Sequence, residues 1–526
     1  MPACPGTGRA GGDFFVSAVP YTPGGGPDFL AEGGAIQISV EGGRDQEKLN
    51  DPNAWHNVFL DQVVKRVAEE RFAELFDEAT GRPNAPLRVL VGMLILKEGF
   101  GWSDEELFEA VHFNLLVRRA LGLLNLTDEV PVESTYYLFK QRLYAHQVET
   151  GVNLLQEVFQ EFTRDQAKRL GVVGEKRRMD STLLGSNLAA CTRLQLIIGC
   201  LQEFWKTLSA EQKACLSEAD RALLDRLSAK RPSQHIYRLE ELTKQAWLED
   251  FGQLLLRLHQ TDDLKSSPRY ALIERLLLEQ YQIDKADEEA RVVLKPTQEI
   301  SADSLQSPHD EDAAYRKKRD ETVRGYSVNL TETCQEALNL IVDVQVEPAT
   351  AADNGYLKDA VQSSEQVLET TAQEISADGA YYSESNEAYA QEQGKDIHYT
   401  GFPGKPGRYD YERTSDGVVV IDRDSGERQL AEEYKPGRYR FRADSKWRYI
   451  TDKAVEAAAC RRRTEALPRE LFNRRCNVEA SIFQLSYHTR KKKLKYRGRC
   501  AVQLWAVCRA AWINIKRMVI YQVKSA

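Results

Sequence analysis

The stretch that decides the fold class is GYSVNLTETCQEALNLIVDVQVE, residues 325–347. Within it, residues 326–333 and 340–347 are rich in Val, Ile, Tyr and Thr, and many of their apolar and polar side chains alternate. A period of two residues with this composition predicts β-strands. Most of the chain before this stretch has the spacing of helices. We therefore expect a mixed architecture of helices and a sheet.

The strand pattern continues downstream of this stretch, in residues 374–378, 396–402, 417–422 and 438–449. Helical spacing returns after Pro468, a residue that the first turn of a helix tolerates, and is predicted to reach residue 489. A last helix is predicted over residues 501–523. A helical block followed by strands and more helices indicates an α+β or α/β fold.

Upstream, helical spacing begins near Trp55 and recurs in residues 87–96, 115–121 and 134–173, with an expected break at the Gly-Arg-Pro of residues 81–83. Ser103 and Glu106 form a capping-box signature that places a helix start between two of these segments. Residues 192–299 are again predicted to be helical. This block separates the strand-forming segments from the helices before it.

Charge is distributed unevenly along a chain whose net charge is −8. Residues 431–526 contain 24 Lys and Arg against 8 Asp and Glu, whereas residues 1–430 contain 47 against 71. A basic segment of this kind attracts a polyanion, and it is equally able to dock on the acidic remainder of the chain. Both interpretations stay open.

Composition and cysteine usage indicate a cytoplasmic protein. Hydrophobic residues make up 42% of the chain, yet no run approaches the roughly 18 consecutive apolar residues of a membrane span. The first residues lack the pattern of a secretory signal, and we expect them to be a flexible leader. The nine cysteines are scattered and never form a CxxC pair, which favours reduced thiols over a zinc site.

Three acidic residues, Asp180, Asp378 and Glu479, are candidate metal ligands. In-line attack on a phosphodiester uses two divalent metal ions, and Mg²⁺ prefers hard oxygen ligands such as carboxylates. Each residue also has a structural explanation. Asp180, which we expect at the end of a short segment before a polar turn, is suited to cap a helix, and Asp378 precedes Gly in a common turn dipeptide. Glu479 follows Arg475 at the spacing of a surface ion pair.

The sequence motifs around these residues resemble those of insertion-sequence DDE transposases. MDST at residues 179–182 is similar to the first aspartate motif of that family, ISADGAYYS at 375–383 to the second, and NRRCNVEASIFQL at 473–485 to the glutamate motif. The stretch at residues 81–123 and VESTYYLFKQRL at 132–143 look like its N-terminal helical region, and residues 307–333 look like the segment that feeds its core strands. The resemblance covers most of residues 55–195 and 305–520, in the family's order.

This resemblance implies an RNase H-like mixed-sheet catalytic core, with Asp180 on the first strand, Asp378 on a later strand and Glu479 on a helix. In the family these three residues are the catalytic carboxylates and hold two Mg²⁺ ions, for which Mn²⁺ is expected to substitute. The implied activity is metal-dependent cleavage at element ends, followed by strand transfer into target DNA through hydrolysis and transesterification. The implied partners are double-stranded DNA with terminal inverted repeats, target DNA and a second copy of the chain on the DNA. A nucleoid-associated location follows.

The same resemblance defines the expected domains. They are a leader at residues 1–54, a helical N-terminal domain for DNA binding or dimerisation at 55–172, a catalytic domain at 173–195 and 300–526, and a helical insertion at 196–299.

The glutamate motif departs from the family pattern at two positions. Where relatives have Tyr and Lys, this chain has Phe472 and Ser486, whereas Arg475 and Glu479 keep their spacing. Because the family's Lys contacts DNA near the cut, the basic run at residues 490–493 is a candidate replacement. Tyr487 and Tyr496 are candidates for stacking on unpaired bases.

Lys and Arg side chains neutralise DNA phosphates without reading sequence. The residues expected to do so are Arg475, Arg490, Lys491, Lys492, Lys493, Lys495, Arg497, Arg499, Lys516 and Arg517. A solvated charge run is the alternative explanation.

Two other functions stay open. One is a nuclease of the same fold that cuts DNA without joining it. The other is a catalytically impaired, transposase-derived DNA-binding protein. The missing Tyr and Lys favour the second, while the three intact carboxylates favour an enzyme.

Overall fold

The computed structural model describes residues 44–76, 86–125, 127–284, 291–318, 320–402 and 406–525. Most of the expected leader and the predicted break at residues 81–83 lie outside these ranges. The helices are α1 (Arg44–Asn50), α2 (Trp55–Gln62), α3 (Leu87–Phe100), α4 (Asp104–Phe113), α5 (Leu115–Ala120), α6 (Glu133–Thr150), α7 (Leu154–Arg169), α8 (Arg193–Thr207), α9 (Ala210–Ala214), α10 (Glu218–Ser228), α11 (Pro232–His235), α12 (Glu241–Gln260), α13 (Tyr270–Gln280), α14 (Leu357–Leu368), α15 (Glu384–Glu392), α16 (Asp452–Glu465), α17 (Arg469–Cys476), α18 (Val478–Ser486) and α19 (Arg499–Ser525). The strands are β1 (Lys176–Gly185), β2 (Tyr281–Asp284), β3 (Arg291–Leu294), β4 (Ala314–Lys318), β5 (Glu321–Thr333), β6 (Ile341–Pro348), β7 (Glu374–Ala377), β8 (Asp396–Tyr399), β9 (Tyr409–Thr414), β10 (Gly417–Asp422), β11 (Arg428–Leu430), β12 (Glu432–Lys435), β13 (Arg438–Ala443) and β14 (Lys446–Thr451).

A six-stranded mixed sheet forms the centre of the fold. Strand β1 pairs antiparallel with β5 on one side and parallel with β7 on the other, and β8 extends the sheet parallel to β7. Strands β4 and β6 both pair antiparallel with the long strand β5, β4 with its first part and β6 with the remainder. Helices and a mixed sheet confirm the expected α+β class.

Several predicted boundaries are confirmed. The helix start at Ser103 has a complete capping box with Glu106, and the strands near residues 326 and 340 appear as β5 and β6. The last helix, α19, encloses the predicted 501–523. Among the described residues, none of the helices combines the length and the apolar character that crossing a membrane requires.

Other boundaries were wrong, each because a local signal was outweighed by pairing or by a turn. Asp180 does not end a segment before a polar turn, because β1 pairs with β5 as far as Gly185. The single strand predicted over residues 438–449 is the hairpin of β13 and β14, which reverses at Asp444 and Ser445 with positive φ at both residues. The helix predicted over residues 134–173 is divided into α6 and α7 after Gly151, which adopts a left-handed backbone.

Further corrections concern the extent of three predicted helical regions. The helical spacing that begins near Trp55 predicts a helix up to the break at residues 81–83, but α2 ends at Gln62 and is followed by 3-10 turns at Val64–Arg66 and Glu69–Leu75. The helix predicted from residue 468 is interrupted at Asn477, between α17 and α18. The helical block of residues 192–299 also contains a two-stranded hairpin, β2 and β3. The strand pairing in that hairpin is too short to give a clear period of two in the sequence.

The N-terminal helices share one hydrophobic core with β5, β6 and α19. Trp512 of α19 packs edge-on against Phe59 of α2, and its ring centroid lies 4.7 Å from that of Phe100 in α3. The C-terminal helix is therefore enclosed by the helices of residues 55–172 on one side and by the sheet on the other. This arrangement connects the two expected domains through continuous packing.

Two other units have cores of their own. Helices α8, α10, α12 and α13 and the β2–β3 hairpin enclose one apolar cluster, which occupies the region of the expected insertion. Strands β9 to β14 and the beginning of α16 enclose another, centred on Val418, Phe441 and Val455. This β-rich unit follows β8 and was not recognised as separate in the sequence. It accounts for much of the chain between Asp378 and Glu479.

A buried carboxylate, Glu332 of β5, connects the sheet to the C-terminal helices. Its Oε1 accepts a hydrogen bond from Nε of Arg178 in β1 at 2.5 Å, and its Oε2 accepts from Arg517 of α19 at 2.8 Å and from Ser481 of α18 at 2.6 Å. Arg178 also donates to the backbone carbonyl of Arg474 in α17 at 3.1 Å. Full burial raises the pKa of Glu332, but the guanidiniums of Arg517 and Arg178 outweigh burial and hold the pKa below its ordinary value.

Removing the charge of Glu332 is expected to destabilise the fold strongly. In Glu332→Gln two guanidiniums stay in the interior without their carboxylate, and breaking one partner of a buried pair costs about 3–5 kcal/mol. The measurement is the free energy of unfolding in urea, followed by circular dichroism. Glu321→Gln, an exposed position at the start of the same strand, is the control and should change stability by less than about 0.5 kcal/mol. Equal stability of the two variants would contradict the role given to Glu332.

Candidate active site

Strand pairing brings Asp180 and Asp378 together. In the parallel ladder of β1 and β7, Arg178 lies opposite Ser376. Asp180 follows Arg178 by two residues on β1, and Asp378 follows directly after the last residue of β7, Ala377. The two aspartates are distant in the chain, but both follow the point where the β1–β7 ladder ends, and they are therefore neighbours.

Helices α17 and α18 supply the other two charged groups. Arg475 lies in the last turn of α17 and Glu479 in the first turn of α18. Buried Val478 and Leu485 hold α18 against the sheet, and Arg178 holds the end of α17 through the carbonyl of Arg474. The interactions that fix both helices therefore also fix the position of Arg475.

All three candidate carboxylates converge on the guanidinium of Arg475. Its Nη2 lies 2.9 Å from Oδ2 of Asp180 and 3.8 Å from Oδ2 of Asp378, and its Nη1 lies 2.5 Å from Oε1 of Glu479. The side chains of Arg475 and Asp180 are 12% and 13% exposed, whereas those of Asp378 and Glu479 are 47% and 62% exposed. The cluster thus has a buried end at Asp180 and an open end at Glu479.

The buried end of the cluster has unusual electrostatics. Burial raises the pKa of Asp180 to about 6, with the charge of Asp378 acting in the same direction and Arg475 opposing both. Burial lowers the pKa of Arg475, but the three surrounding carboxylates outweigh burial and raise it above its ordinary value. A carboxyl group that changes protonation near neutral pH is a frequent feature of functional sites.

The structural explanations considered for these residues also hold in part. Asp378 Oδ1 accepts a hydrogen bond from the backbone N–H of Gly379 at 2.7 Å, so this aspartate caps the short turn that follows β7. A side chain at Gly379 would collide with the carbonyl oxygen of Gly401, which explains why the first of the two small residues is glycine. Arg475 and Glu479 form the expected i,i+4 pair. Asp378 Oδ2 is left to face Arg475.

A preformed metal site is not present in the part of the chain that the structure describes. Among those residues, no group of three or more His, Cys, Asp or Glu side chains is arranged to hold a metal ion. The position between the carboxylates is taken by the Arg475 guanidinium, whose buried Nε finds no hydrogen-bond acceptor among the described residues.

The cationic residues predicted to contact DNA fall into three groups. Exposed side chains without an ion-pair or hydrogen-bond partner in the described ranges are Arg490, Lys491, Lys492 and Lys516. Side chains that donate to backbone carbonyls are Lys493, Lys495 and Arg497. Side chains paired with carboxylates are Arg475, Arg499 and Arg517, the last of them in the internal Glu332 network.

The residues 490–493, which we term the basic loop, lie beside the end of β1. The backbone N–H of Gly185 donates to the carbonyl of Lys492 at 2.8 Å, and the N–H of Leu494 donates to the carbonyl of Gly185 at 2.8 Å. Ser486, at the position of the family's Lys, ends α18 with its hydroxyl bonded to the carbonyl of Ile482. The nearest unpartnered cations in sequence are therefore those of the basic loop.

The two tyrosines considered for base stacking have different surroundings. Tyr487 is 66% exposed and lies edge-on to Phe483, itself 64% exposed. Tyr496 is packed against the N-terminal helices, where its hydroxyl donates to Glu98 and its ring lies 5.8 Å from Nζ of Lys97. Tyr496 therefore connects two parts of the fold, and stacking on a base would require it to leave this site.

Sequence reasoning did not find the residues that position the cluster. Glu332 and Arg178 bear charges in strands that are otherwise buried, and such a charge in a predicted core strand is the one signal that the sequence contains. Nothing in the local sequence indicates that Arg517 of α19 reaches the same carboxylate. The partner of a buried charge is set by tertiary packing.

The fold and the cluster together define an α+β protein with acidic groups gathered around one arginine, beside the central strand β1 and the end of β7. Comparison with protein families gives a more specific class: residues 45–142 match the model described as Transposase domain (DUF772). The match covers about a fifth of the chain, ends within α6 and supports a transposase-family protein, for which DNA binding is expected. None of the three carboxylates lies within it. No curated protein and no solved structure matched the chain.

The raised pKa of Asp180 predicts how stability changes with pH. Because the folded protein binds this proton more tightly than the unfolded chain, raising the pH from about 3.8 to about 6 lowers the contribution of Asp180 to the free energy of unfolding. Asp180→Asn removes this dependence, so its stability relative to the wild type should increase by about 2 kcal/mol between pH 4 and pH 7. Urea unfolding across this range, with a chelator present, measures the difference. Asp250→Asn, an exposed position in α12, should show no such trend, and a parallel response of both variants would contradict the assignment.

Proposed function

We propose that this protein is a DDE-type transposase with an RNase H-like core, which cleaves DNA at the ends of its element and joins them to target DNA. The observation that carries the proposal is the convergence of Asp180, Asp378 and Glu479 on one cationic group. Asp180 lies on β1, Asp378 directly follows the parallel strand β7 and Glu479 lies on α18, and this arrangement, close to the one that the family resemblance implies, supports the proposal. The transposase-domain match in the preceding helices supports the same class.

The chemistry of the donor set suits divalent metal ions. Three carboxylates from separate segments supply the hard oxygen ligands that Mg²⁺ and Mn²⁺ prefer. They already surround a positive charge, that of Arg475. We propose that two ions bind among the carboxylates once this guanidinium has moved aside.

In this mechanism each residue has a distinct task. Asp180, Asp378 and Glu479 would hold the ions, which when bound neutralise charge on the phosphate and activate the attacking hydroxyl. Arg475 compensates the carboxylates in their absence, and when displaced it is placed to donate to a phosphate oxygen. Since only the unprotonated carboxylate binds metal, the pKa of about 6 at Asp180 makes metal binding stronger as the pH rises through that value.

DNA is expected to approach from the open end of the cluster. Glu479, its most exposed carboxylate, is followed along the chain by the exposed Phe483 of α18, by Tyr487 just after this helix and by the basic loop. Exposed Arg490, Lys491 and Lys492 provide phosphate contacts that carry no sequence information. Binding of inverted repeats and target DNA by a homodimer belongs to this proposal.

The second candidate is a DNA-binding protein of the same origin that no longer cleaves DNA. The observation that favours it is the ion pairing of Arg475 with all three carboxylates. The presence of Ser486 where the family has Lys also favours this second candidate. Cleavage assays distinguish the two functions, and a strand-transfer assay distinguishes a transposase from a nuclease that only cuts.

Neutralising any one of the three carboxylates is expected to abolish metal-dependent cleavage. With end DNA and Mg²⁺ or Mn²⁺, Asp180→Asn, Asp378→Asn and Glu479→Gln should each lose on the order of 10²–10³-fold in rate, as when one group that stabilises transition-state charge is removed. Glu470→Gln, an exposed position on α17, is the matched control and should cleave as the wild type does. Cleavage near the wild-type rate by any of the three would contradict the site, and no cleavage by the wild type would favour the second candidate.

Removing the charges of the basic loop is expected to weaken DNA binding without changing sequence preference. In the triple variant Arg490→Gln, Lys491→Gln and Lys492→Gln, the slope of log K against log salt should fall by roughly 1 for each phosphate that the loop no longer neutralises. Fluorescence anisotropy at several salt concentrations measures this slope.

The control for this prediction removes three charges elsewhere. Arg226, Lys230 and Arg238 are exposed in the helical insertion, and their replacement by Gln changes the net charge equally. If both triple variants lowered the slope alike, overall charge and not the basic loop would determine binding.

A further inference from the structure

The sheet of β12, β13 and β14 has two faces of different character. Tyr439, Phe441 and Ile450 point into the core of the β-rich unit and are buried. Because side chains alternate along a strand, the residues between them point the other way. The opposite face, which we term the outer face, contains Tyr434, Arg438, Arg440, Arg442, Trp447 and Tyr449, together with Glu432, Lys435 and Thr451.

Aromatic and cationic side chains are interleaved on the outer face. The Arg440 guanidinium lies 4.7 Å from the Trp447 ring centroid and 6.0 Å from that of Tyr434, and the Tyr434 and Tyr449 rings meet edge-on at 5.5 Å. Arg440 also pairs with Glu432 at 2.6 Å, which fixes its orientation. The centre of the face is thus held in place by contacts among its own residues.

The groups around this centre are exposed. Trp447 and Tyr449 are 48% and 62% exposed, which leaves large ring surfaces in water. Arg438 and Arg442 are exposed and have no ion-pair or hydrogen-bond partner among residues 406–525 or elsewhere in the described chain. Unpaired cations beside uncovered rings indicate a binding surface for a ligand that is both flat and anionic.

Single-stranded DNA has this combination of properties. Each base offers a flat π-face to an aromatic ring or a guanidinium plane, while each phosphate offers a charge to an arginine. A DNA duplex exposes its phosphates but not the faces of its stacked bases, so it can contact the arginines but cannot stack on the rings. An acidic peptide likewise satisfies the charges and leaves the rings without stacking partners.

The position of the β-rich unit in the chain connects the outer face with the candidate active site. Helix α16 contributes Val455 to the core of this unit, and its Cys460 is buried in the cluster that contains Tyr381 beside Asp378. Arg461 of α16 lies 4.8 Å from the ring centroid of Phe402. The same helix leads directly into α17, which bears Arg475.

We propose that the outer face binds single-stranded DNA, with Trp447 and Tyr449 stacking on bases and Arg438 and Arg442 contacting phosphates. The proposal takes DNA as the partner from the proposed function. It assigns to the β-rich unit the capture of an unpaired strand, separate from the cutting of the duplex.

The test measures DNA binding by the full chain in the presence of a chelator, so that cleavage plays no part. The probes are a fluorescein-labelled oligothymidylate of about 20 nucleotides and a duplex of equal length. The double variant Trp447→Ala, Tyr449→Ala should bind the single strand at least about 10-fold more weakly, as expected from the loss of base stacking, and the duplex within about 2-fold of the wild type. Arg438→Gln with Arg442→Gln should weaken binding of the single strand and lower its salt dependence.

Two further variants separate stacking from folding and from general charge. Trp447→Phe with Tyr449→Phe keeps both rings and should restore most of the single-strand affinity. Lys446→Gln removes a charge from the same hairpin on the opposite face and should leave affinity unchanged.

Three outcomes would overturn the proposal: no binding of the single strand by the wild type, equal affinity of the wild type and the double alanine variant, or displacement of the oligonucleotide by polyglutamate of equal charge as readily as by DNA. Each is independent of end cleavage. Failure of cleavage with intact single-strand binding would instead contradict the proposed function.

Discussion

The arrangement of the candidate site depends on one buried carboxylate, Glu332. Its two oxygens accept hydrogen bonds from Arg178 of the central strand, from Arg517 of the last helix and from Ser481 of α18. A charge in the interior is tolerated only when it is paired and hydrogen-bonded, so these elements are held in one relative position. That position determines where α17 ends and α18 begins, and hence where Arg475 and Glu479 lie.

The carboxylate cluster is compatible with a stable fold because an arginine lies among its acidic groups. Asp180, Asp378 and Glu479 would repel one another if left alone, and Arg475 compensates them. The compensation is incomplete at the buried end, where the pKa of Asp180 reaches about 6. The proposed binding of metal ions requires that this positive partner be replaced by others at the same carboxylates.

The two additional units are built outward from this core. The helical unit enters after β1 and the β-rich unit after β8, and each encloses an apolar cluster of its own. Because each buries its own apolar surface, neither disturbs the pairing of β1 with β7. The core geometry is thereby preserved although the three acidic residues are far apart in the chain.

The sequence by itself determined the α+β class and the beginnings of several helices, and it singled out the three acidic residues as candidates. Local signals sufficed there, because the capping box at Ser103 and the alternation around β5 are properties of neighbouring residues. The resemblance to a family assigned the three acidic residues to motifs that follow one another in the family's order. It did not predict that Asp180 lies in the middle of a strand or that the β-rich unit is separate from the core. Only the tertiary structure decided that Arg475 lies among all three carboxylates, that Arg517 pairs with Glu332 inside the protein, and that Tyr496 is bonded to Glu98. These contacts join residues that are far apart in the chain, and they are selected because a charged or polar group buried in the assembled fold is costly unless it is paired, a condition that no local pattern encodes.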